Sequence, residues 1–197
     1  MLRDNRQNLE PAMTTRTLEQ RLQELEDRTA IAELITRYGL TMDNRDMASM
    51  PSLFTTDVLI SSGDGVMNTR GREAAIAMFT QRFAVLGPSN HFTHDRLLTF
   101  DPADPNHATG LVLSHAEMNR LGQPMLAAIR YADDYRRVDG AWRFAARELS
   151  FFYYVPTAEY LDAFSPAGLA IRNRAYPTPT AADWPESLPT WRAFYGT

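Results

Sequence analysis

The spacing of hydrophobic residues changes once along the chain, near residue 90, and this change restricts the folds that the chain can adopt. Before it, apolar residues recur at helical spacing; after it, they alternate as they do in β-strands. Helices followed by strands predict an α+β domain in which helices cover one face of a sheet.

The first part of the chain is predicted to be mainly helical. Thr17 to Gln20 has the form of a capping box, which marks a helix start. Asp46 can cap a second helix, although Pro51 lies inside it, and Gly87-Pro88 ends a third. The pattern predicts helices at 17–43, 46–54 and 72–86, with a short strand at 58–62.

The second part is predicted to be a sheet. Short turn-forming pieces separate four alternating segments, and Asp139-Gly140 is a strong hairpin signal. The segments are 91–100, 108–120, 124–138 and 141–152, so we expect a curved antiparallel meander. A two-residue turn at Asp139-Gly140 would pair Tyr135 with Phe144 and Ala132 with Arg147. A bent sheet leaves a cavity against the helices, the usual form of a small-molecule site.

Charge and cysteine content exclude several functions. All twenty basic residues are Arg, and the net charge is −4, which argues against nucleic acid or an anionic membrane surface as a partner. With no Cys, the 197-residue chain has no thiolate nucleophile or thiolate metal ligand. There is also no glycine-rich phosphate loop, HExxH or GxSxG motif, so we predict no metal and no cofactor.

The two ends of the chain differ in composition from the predicted domain between them. Residues 1–16 are charged throughout and are interpreted as a mobile arm, with Met13 as an alternative natural start. With no signal peptide or membrane span, the prediction is a cytoplasmic protein. Residues 156–197 form an extension rich in Pro and aromatic residues, which we expect to cover its own pocket or a neighbouring subunit.

Asp43 is the first candidate for chemistry. It lies at the end of the long helix, where the helix dipole disfavours a carboxylate, so it is either a solvated turn residue or an acid held by other groups. Tyr38 lies about 140° away around an ideal helix, so the two converge only if the helix loosens. Otherwise Tyr38 is a core aromatic.

Histidines supply the second set of candidates. His91 and His94 are three residues apart in a predicted strand and point to opposite faces, so they cannot share a metal. A His beside an Asp is the minimal general-base arrangement, but the residues alone do not choose between these two. His107 is predicted to be exposed in a turn, and His115 lies within an alternating strand without an obvious partner.

The last predicted strand carries a cation and several rings. Hydrophobicity places Trp142 and Phe144 against the helices and turns Arg147 toward solvent; the alternative is a cavity-facing Arg147. The rings at 151–154 either line a pocket for a flat apolar molecule or form the end packing of the sheet.

Taken together, several segments resemble the SnoaL-like branch of the NTF2-like superfamily over about residues 17–155. The segments are Asp27 to Ile31, Tyr38, Asp43, Phe54 to Asp57, Gly71 to Ala74, His91 with Thr93, Tyr135 to Phe144, and Arg147. The resemblance implies a cone in which a curved antiparallel sheet wraps over three helices around an internal pocket. Functions vary within that fold.

The members that the chain resembles are cofactor-independent lyases: scytalone dehydratase, hexachlorocyclohexane dehydrochlorinase and bile-acid dehydratase. The resemblance implies a His91–Asp43 dyad, with Tyr38 and an inward-facing Arg147 as further catalytic residues. The second acid that some members carry on the third strand falls near Ser114 or His115, and neither is a carboxylate. We assign the substrate pocket to Phe54, Tyr131, Phe151 and Tyr153.

The resemblance therefore implies a lyase, or an isomerase, acting on a small apolar hydroxylated or halogenated molecule that is aromatic or steroid-like. The alternative is a non-catalytic pocket or partner subunit, similar to the small subunits of ring-hydroxylating dioxygenases. A homodimer or homotrimer fits both, because the outer face of the sheet and the aromatic extension need cover.

Overall fold

Helix α1 (Leu18–Asn44) begins at the predicted capping box. In the computed structural model, which describes residues 16–63, 65–175 and 178–196, Thr17 Oγ1 accepts a hydrogen bond from the Gln20 N–H at 3.2 Å. Gln20 Oε1 accepts one from the Thr17 N–H at 2.9 Å. The helix ends where Arg45 adopts a left-handed conformation (φ 56°), so the prediction of α1 is confirmed to within one residue at either end.

The elements after α1 follow the predicted order of helices and then strands. They are α2 (Met50–Leu53), β1 (Phe54–Ser62), β2 (Asn68–Arg70), α3 (Arg72–Phe83), β3 (Leu86–Phe100), β4 (His107–Arg120), β5 (Gln123–Val138), β6 (Ala141–Pro156) and, after three short 3₁₀ turns, α4 (Pro189–Tyr195).

One six-stranded curved sheet has the order β2-β1-β6-β5-β4-β3. Strands β3 to β6 form the predicted antiparallel meander, and β2 lies antiparallel to β1. The expectation of a wholly antiparallel sheet is wrong for β1, which runs parallel to β6. No hairpin fixes their relative direction, because α3 and four strands lie between them in sequence.

Two predicted helices are shorter than expected. The second covers only Met50–Leu53, because the Asp46 carboxylate accepts the Ser49 N–H within a turn and Phe54 already belongs to β1. The third ends at Phe83, and β3 then begins at Leu86, before Pro88. A proline is tolerated there because β3 is an edge strand.

Two β-bulges in β6 decide which side chains face the helices. The pairing steps from Asp134–Ala146 to Tyr135–Phe144, which leaves Ala145 as an extra residue. It steps again between Ala128–Tyr153 and Ile129–Phe151, which leaves Phe152 extra. Each bulge reverses the alternation of the residues beyond it. The predicted Tyr135–Phe144 pair is confirmed, but Arg147 pairs with Asp133 rather than with Ala132.

The core lies between the helices and the inner face of the sheet, as the α+β prediction requires. α1 contributes a buried apolar stripe, and it packs against rings from α3 and the sheet. Representative buried members are Ile31, Leu34, Ile35, Phe79, Tyr131 and Phe144.

The C-terminal extension packs on its own chain. The Tyr154 N–H donates to Arg172 O at 2.8 Å, and the Arg174 N–H donates to Tyr154 O at 2.9 Å, along the edge of β6 that β1 leaves free. The ring of Trp184 stacks on Phe152 at 4.9 Å. Residues 1–15 of the predicted arm, with the alternative start at Met13, lie outside the described residues, and Arg16, the last residue of the arm, forms an ion pair with Glu24. In the described part of the chain, no helix is long and apolar enough to span a membrane.

Candidate active site

Asp43 and His91 meet where the end of α1 crosses β3. Asp43 Oδ1 lies 2.7 Å from His91 Nδ1, and Asp43 Oδ2 accepts the backbone N–H of His91, also at 2.7 Å. Both side chains are largely buried, with 11% of the Asp43 side chain and 19% of the His91 side chain exposed. Because an ionised carboxylate only accepts hydrogen bonds, Nδ1 carries the proton.

Two further groups hold Asp43 at this unfavourable helix end. The Ser89 hydroxyl donates to Asp43 Oδ1 at 2.8 Å. Arg45 Nη1 donates to Ser89 Oγ at 3.1 Å, and Arg45 Nη2 donates to Gly87 O at 2.6 Å. The guanidinium thus places positive charge at the C-terminal end of α1, where the dipole favours it. Burial raises the pKa of Asp43, but the hydrogen bonds from His91 and Ser89 outweigh burial and hold it below its ordinary value.

His91 lines a cavity. His91 Nε2 has no hydrogen-bond partner among the described residues, and the ring lines a cavity of about 80 Å³ between α1, α3 and the sheet. Most of the wall is apolar or aromatic. It includes Met42, Phe79, Met118, Ile129, Leu149 and Tyr154. An engineered apolar cavity that binds benzene measures about 150 Å³, so a ring-sized ligand requires side chains here to shift.

Tyr38 reaches the same cavity from another side, without the helix loosening. Its ring is 5% exposed and packs edge-on against Tyr131 and Phe144, with centroids 6.2 Å and 5.6 Å away. α1 continues past Tyr38 to Asn44, and the curvature of the sheet brings Tyr38 and His91 to a common space. Burial is the main cause that raises the pKa of Tyr38, so its hydroxyl stays protonated at neutral pH.

Arg147 lies behind Tyr38 and is 1% exposed, so its side chain faces inward. The hydrophobicity argument placed it in solvent, and the bulge at Ala145 is the reason that it turns inward. Arg147 Nε and Nη2 donate to the two oxygens of Asp133 at 2.8 Å and 2.7 Å. Its guanidinium carbon lies 4.2 Å from the ring centroids of Tyr38 and Tyr131. Burial lowers the pKa of Arg147, but the Asp133 charge outweighs it and keeps the cation protonated.

Asp133 completes this buried group and was not singled out in the sequence. Tyr135 Oη donates to Asp133 Oδ2 at 2.6 Å. Arg147 Nη1 is buried and has no hydrogen-bond partner in the described part of the protein. Ser114 lies where some family members carry a second acid. It is buried, and its hydroxyl donates to Phe92 O at 3.0 Å. The nearest signal for Asp133 in the sequence is its place in an alternating strand beside Tyr131 and Tyr135.

The four residues assigned to the pocket separate into two groups. Tyr131 and Phe151 line the cavity. Phe54 does not, because it lies deeper in the core, stacked on Phe79 with centroids 6.1 Å apart. Tyr153 does not either, because the bulge at Phe152 turns it to the outer face. Tyr154 takes its place in the cavity wall, and sequence alternation could not show this.

The remaining histidines lie away from the cavity. His94 Nε2 and His115 Nδ1 are 2.7 Å apart on the outer face, where both residues are exposed. His107 is held by Asp101 and Asp134 and is largely buried, contrary to the expectation of an exposed position in a turn. Among the described residues, no group of three or more His, Asp or Glu side chains is arranged to hold a metal ion.

The fold and this cavity define a class of protein, the NTF2-like cones, and comparison with known proteins agrees. A solved NTF2-like protein with a cystatin-like fold from Novosphingobium aromaticivorans superposes with a TM-score of 0.54 at 27% identity, covering 68% of this chain and 90% of that one. The hexachlorocyclohexane dehydrochlorinase LinA-type3 of Novosphingobium barchaimii gives 0.64 at 23% identity, covering 70% and 94%.

The model of the SnoaL-like domain matches residues 23–148, and the chain therefore belongs to the SnoaL-like family. Among curated proteins, the γ-hexachlorocyclohexane dehydrochlorinase of Sphingobium indicum is 28% identical over 141 residues, which are 70% of this chain and 88% of that protein. Hexachlorocyclohexane dehydrochlorinase 1 of Sphingobium indicum is 26% identical over 156 residues, covering 77% and 97%.

Proposed function

We propose that the protein is a cofactor-independent lyase of small apolar molecules and that His91 is its general base. The observation that carries this proposal is the 2.7 Å contact between His91 Nδ1 and Asp43, in a histidine that lines an apolar cavity and whose Nε2 has no hydrogen-bond partner among the described residues. The similarity to dehydrochlorinases at 28% and 26% identity supports the same reaction class.

The reaction would begin with proton transfer from a substrate carbon to His91 Nε2. The electrons of the broken C–H bond form a carbon–carbon double bond, and the neighbouring carbon releases its leaving group with the electron pair of that bond. Asp43 keeps the proton on Nδ1, so that Nε2 offers its lone pair, and it then stabilises the imidazolium. The leaving group is a halide, or a hydroxyl group that departs as water after it takes the proton from the imidazolium. Loss of a small carbon fragment would begin instead with proton transfer from a substrate hydroxyl to Nε2. The hydroxyl oxygen then forms a carbonyl as the neighbouring carbon–carbon bond breaks, and the remaining carbon keeps the electron pair of that bond and takes the proton back.

Tyr38 and Arg147 would act on the charge that develops on the substrate. The Tyr38 hydroxyl remains protonated and lies in the cavity wall, so it can donate a hydrogen bond to an oxyanion or to the leaving group. Arg147 lies outside the lining and acts through Tyr38, because its cation sits 4.2 Å from that ring. In a buried site such fixed charges are weakly screened.

The substrate class follows from the wall of the cavity. Its rings and aliphatic side chains suit a hydroxylated or halogenated apolar molecule, aromatic or steroid-like in character, once the side chains shift to admit it. An isomerase would use the same residues and return the proton to another carbon. We also propose that the protein is cytoplasmic and works as a homodimer or homotrimer.

The test is an elimination assay on purified full-length protein. Halide release from γ-hexachlorocyclohexane and alkene formation from β-hydroxy and β-halo carbonyl compounds are measured for the wild type and for His91→Ala. We expect a loss of about 10²–10⁴-fold in kcat/KM with an unchanged circular dichroism spectrum. His107→Ala, outside the cavity, is the matched control and should retain turnover.

Three results would decide against parts of this proposal. Full turnover by the His91→Ala protein would reject the base. A product with the proton moved and no group lost would identify an isomerase. An inactive wild type across the whole panel would favour the non-catalytic pocket or partner subunit, for which Asp43→Asn and His91→Ala leave biological activity intact.

A further inference from the structure

Arg82 lies in the last turn of α3 and lines the cavity that His91 faces. The proposed reaction does not use it. Its side chain is half-buried, and no carboxylate of the described residues comes within ion-pair distance of it. A partly buried cation without a counter-ion is costly unless another anion approaches it.

The other arginines that are buried around the site are already engaged. Arg147 pairs with Asp133, and Arg45 bonds to Gly87 O and to the Ser89 hydroxyl. Arg172, under the C-terminal extension, binds Glu186 through two nitrogens. Arg82 therefore differs from them in having its N–H donors available to a ligand.

The wall of the cavity carries positive charge and no described acid. Arg45 and Arg82 both belong to the lining, whereas no Asp or Glu side chain does. Asp43 lies behind His91, and Asp133 is neutralised by Arg147. Beside an apolar wall, an uncompensated guanidinium attracts anions over several ångströms.

The hydroxyls around the cavity respond to this charge. Burial is the main cause that raises the pKa of Tyr38 and of Tyr154, and the positive charge of Arg82 acts on both in the opposite direction. Both rings line the cavity. The charge of Arg82 therefore acts on two rings of the cavity wall, and a ligand bound between them would experience it.

We infer that the ligand of this cavity is an anion, an apolar body carrying one carboxylate, and that Arg82 is the specificity-determining residue that binds the carboxylate. The guanidinium fork matches the two oxygens of a carboxylate, and the apolar wall matches the body. This inference adds a substrate class to the proposed lyase. It rests on the proposed function only for the reaction that follows binding, because the binding of the carboxylate does not require that reaction.

A structural role for Arg82 makes a different prediction. A cation in the last turn of a helix interacts favourably with the helix dipole, by roughly 0.3–1 kcal/mol. If that were its whole role, replacing it would lower stability slightly and would leave ligand selection unchanged. Ligand binding must therefore be measured with a matched pair of charged and neutral molecules.

The experiment titrates full-length protein with isobutyrate against isobutyramide and with benzoate against benzamide, monitored by NMR. Each pair has nearly the same shape and differs in charge, and the smaller pair requires less movement of the side chains around the cavity. We expect the anion to bind at least about tenfold more tightly, a difference of about 1.4 kcal/mol. The preference should weaken as salt is added. Signals of His91 should shift on binding.

Arg82→Gln should abolish the preference, whereas Arg70→Gln, an exposed arginine on β2, should keep it. Equal binding of acid and amide by the wild type, no binding of either acid at millimolar concentration, or an unchanged preference in Arg82→Gln would overturn the inference.

The inference and the proposed function fail separately. If His91→Ala keeps full turnover while Arg82→Gln loses the anion preference, the lyase assignment falls and the anion site stands. If His91→Ala loses turnover but the wild type does not prefer the anion, the lyase assignment stands and the substrate class is wrong.

Discussion

Two regions of this protein contain a histidine held by aspartate, and they differ in what the second ring nitrogen does. His91 contacts Asp43 through Nδ1 and leaves Nε2 to the cavity. His107, beside the β3–β4 turn, contacts Asp101 through Nδ1 at 3.1 Å and Asp134 through Nε2 at 2.9 Å. The side chains have the same exposed fraction, 19%.

The comparison teaches that a His–Asp contact is not by itself evidence of catalysis. Both ring nitrogens of His107 contact a carboxylate, so this residue stabilises a turn and has no nitrogen available to accept a substrate proton. His91 has one engaged nitrogen, one available nitrogen and an apolar space beside it, which are the requirements for a general base. The five predictions below test this difference, from the largest expected effect to the smallest.

Asp43→Asn should lower kcat/KM by about 10²–10⁴-fold, because an amide at this position no longer fixes the proton on Nδ1 of His91. Asp101→Asn, the equivalent change beside His107, should leave turnover unchanged. Steady-state kinetics on the substrate found in the elimination assay provide the measurement. Equal losses in both variants would show that the two regions do not differ in the way proposed.

Combining Asp43→Asn with His91→Ala sharpens the same test. Residues that act as one unit give losses that do not add, so the double variant should be about as slow as His91→Ala alone. Losses that multiply would mean that Asp43 acts independently of His91.

Ser89→Ala should lower kcat/KM by about three- to tenfold. The change removes one hydrogen bond to a charged carboxylate, and such bonds contribute roughly 1.5–3 kcal/mol, part of which is replaced by the remaining donors. Ser52→Ala, an exposed position on α2, is the control. An unaffected Ser89→Ala enzyme would contradict the role of Ser89 in holding Asp43.

His107→Ala should cost about 1 kcal/mol of unfolding free energy at pH 5.5 and less at pH 9. Hydrogen bonds to Asp101, and then to Asp134, raise the pKa of His107 above 6.5. A raised pKa means that the stabilisation is complete below pH 6.5 and is lost as the pH rises through the value in the folded protein. Urea unfolding at the two pH values measures it, and a cost that grows with pH would contradict it.

The smallest expected effect is the loss of stability at low pH that is due to Asp43. Its pKa lies below the ordinary value of 3.8, because hydrogen bonds from His91 and Ser89 outweigh burial. Its stabilisation is therefore present above pH 3.8 and is lost as the pH falls through the lower value in the folded protein. The wild type should lose more Tm between pH 5 and pH 3 than Asp43→Asn does; an equal loss would exclude this contribution.

The order and type of the main elements could be read from the sequence, because periodicity and turn residues are local signals. The capping box at Thr17 and the Asp139-Gly140 hairpin fixed the start of α1 and one end of the meander. The bulges at Ala145 and Phe152 carry no such signal, since they depend on pairing with β5. Each reverses an alternation, which explains why hydrophobicity alone places Arg147 in solvent, against the family resemblance, and why Tyr153 is assigned to the pocket.

The candidate site was predictable only in part. Position alone favoured a solvated Asp43, because the sequence does not show that Ser89 and the His91 backbone converge on it from β3. The family resemblance supplied the choice of His91 over His94. It could not supply Arg45 or Asp133, whose contacts arise from tertiary packing.

The bonds between the C-terminal extension and β6 have a consequence for how the protein can be shortened. The family match stops at residue 148, whereas Phe151 and Tyr154 exchange backbone hydrogen bonds with Asp183, Arg172 and Arg174. A fragment cut at the family boundary would lose the extension together with the second half of β6. The part of β5 that pairs with that half, from Met125 to Tyr131, would then present unpaired amides and carbonyls to another molecule. We therefore expect such fragments to aggregate edge to edge, so that the smallest usable unit extends well past the conserved domain.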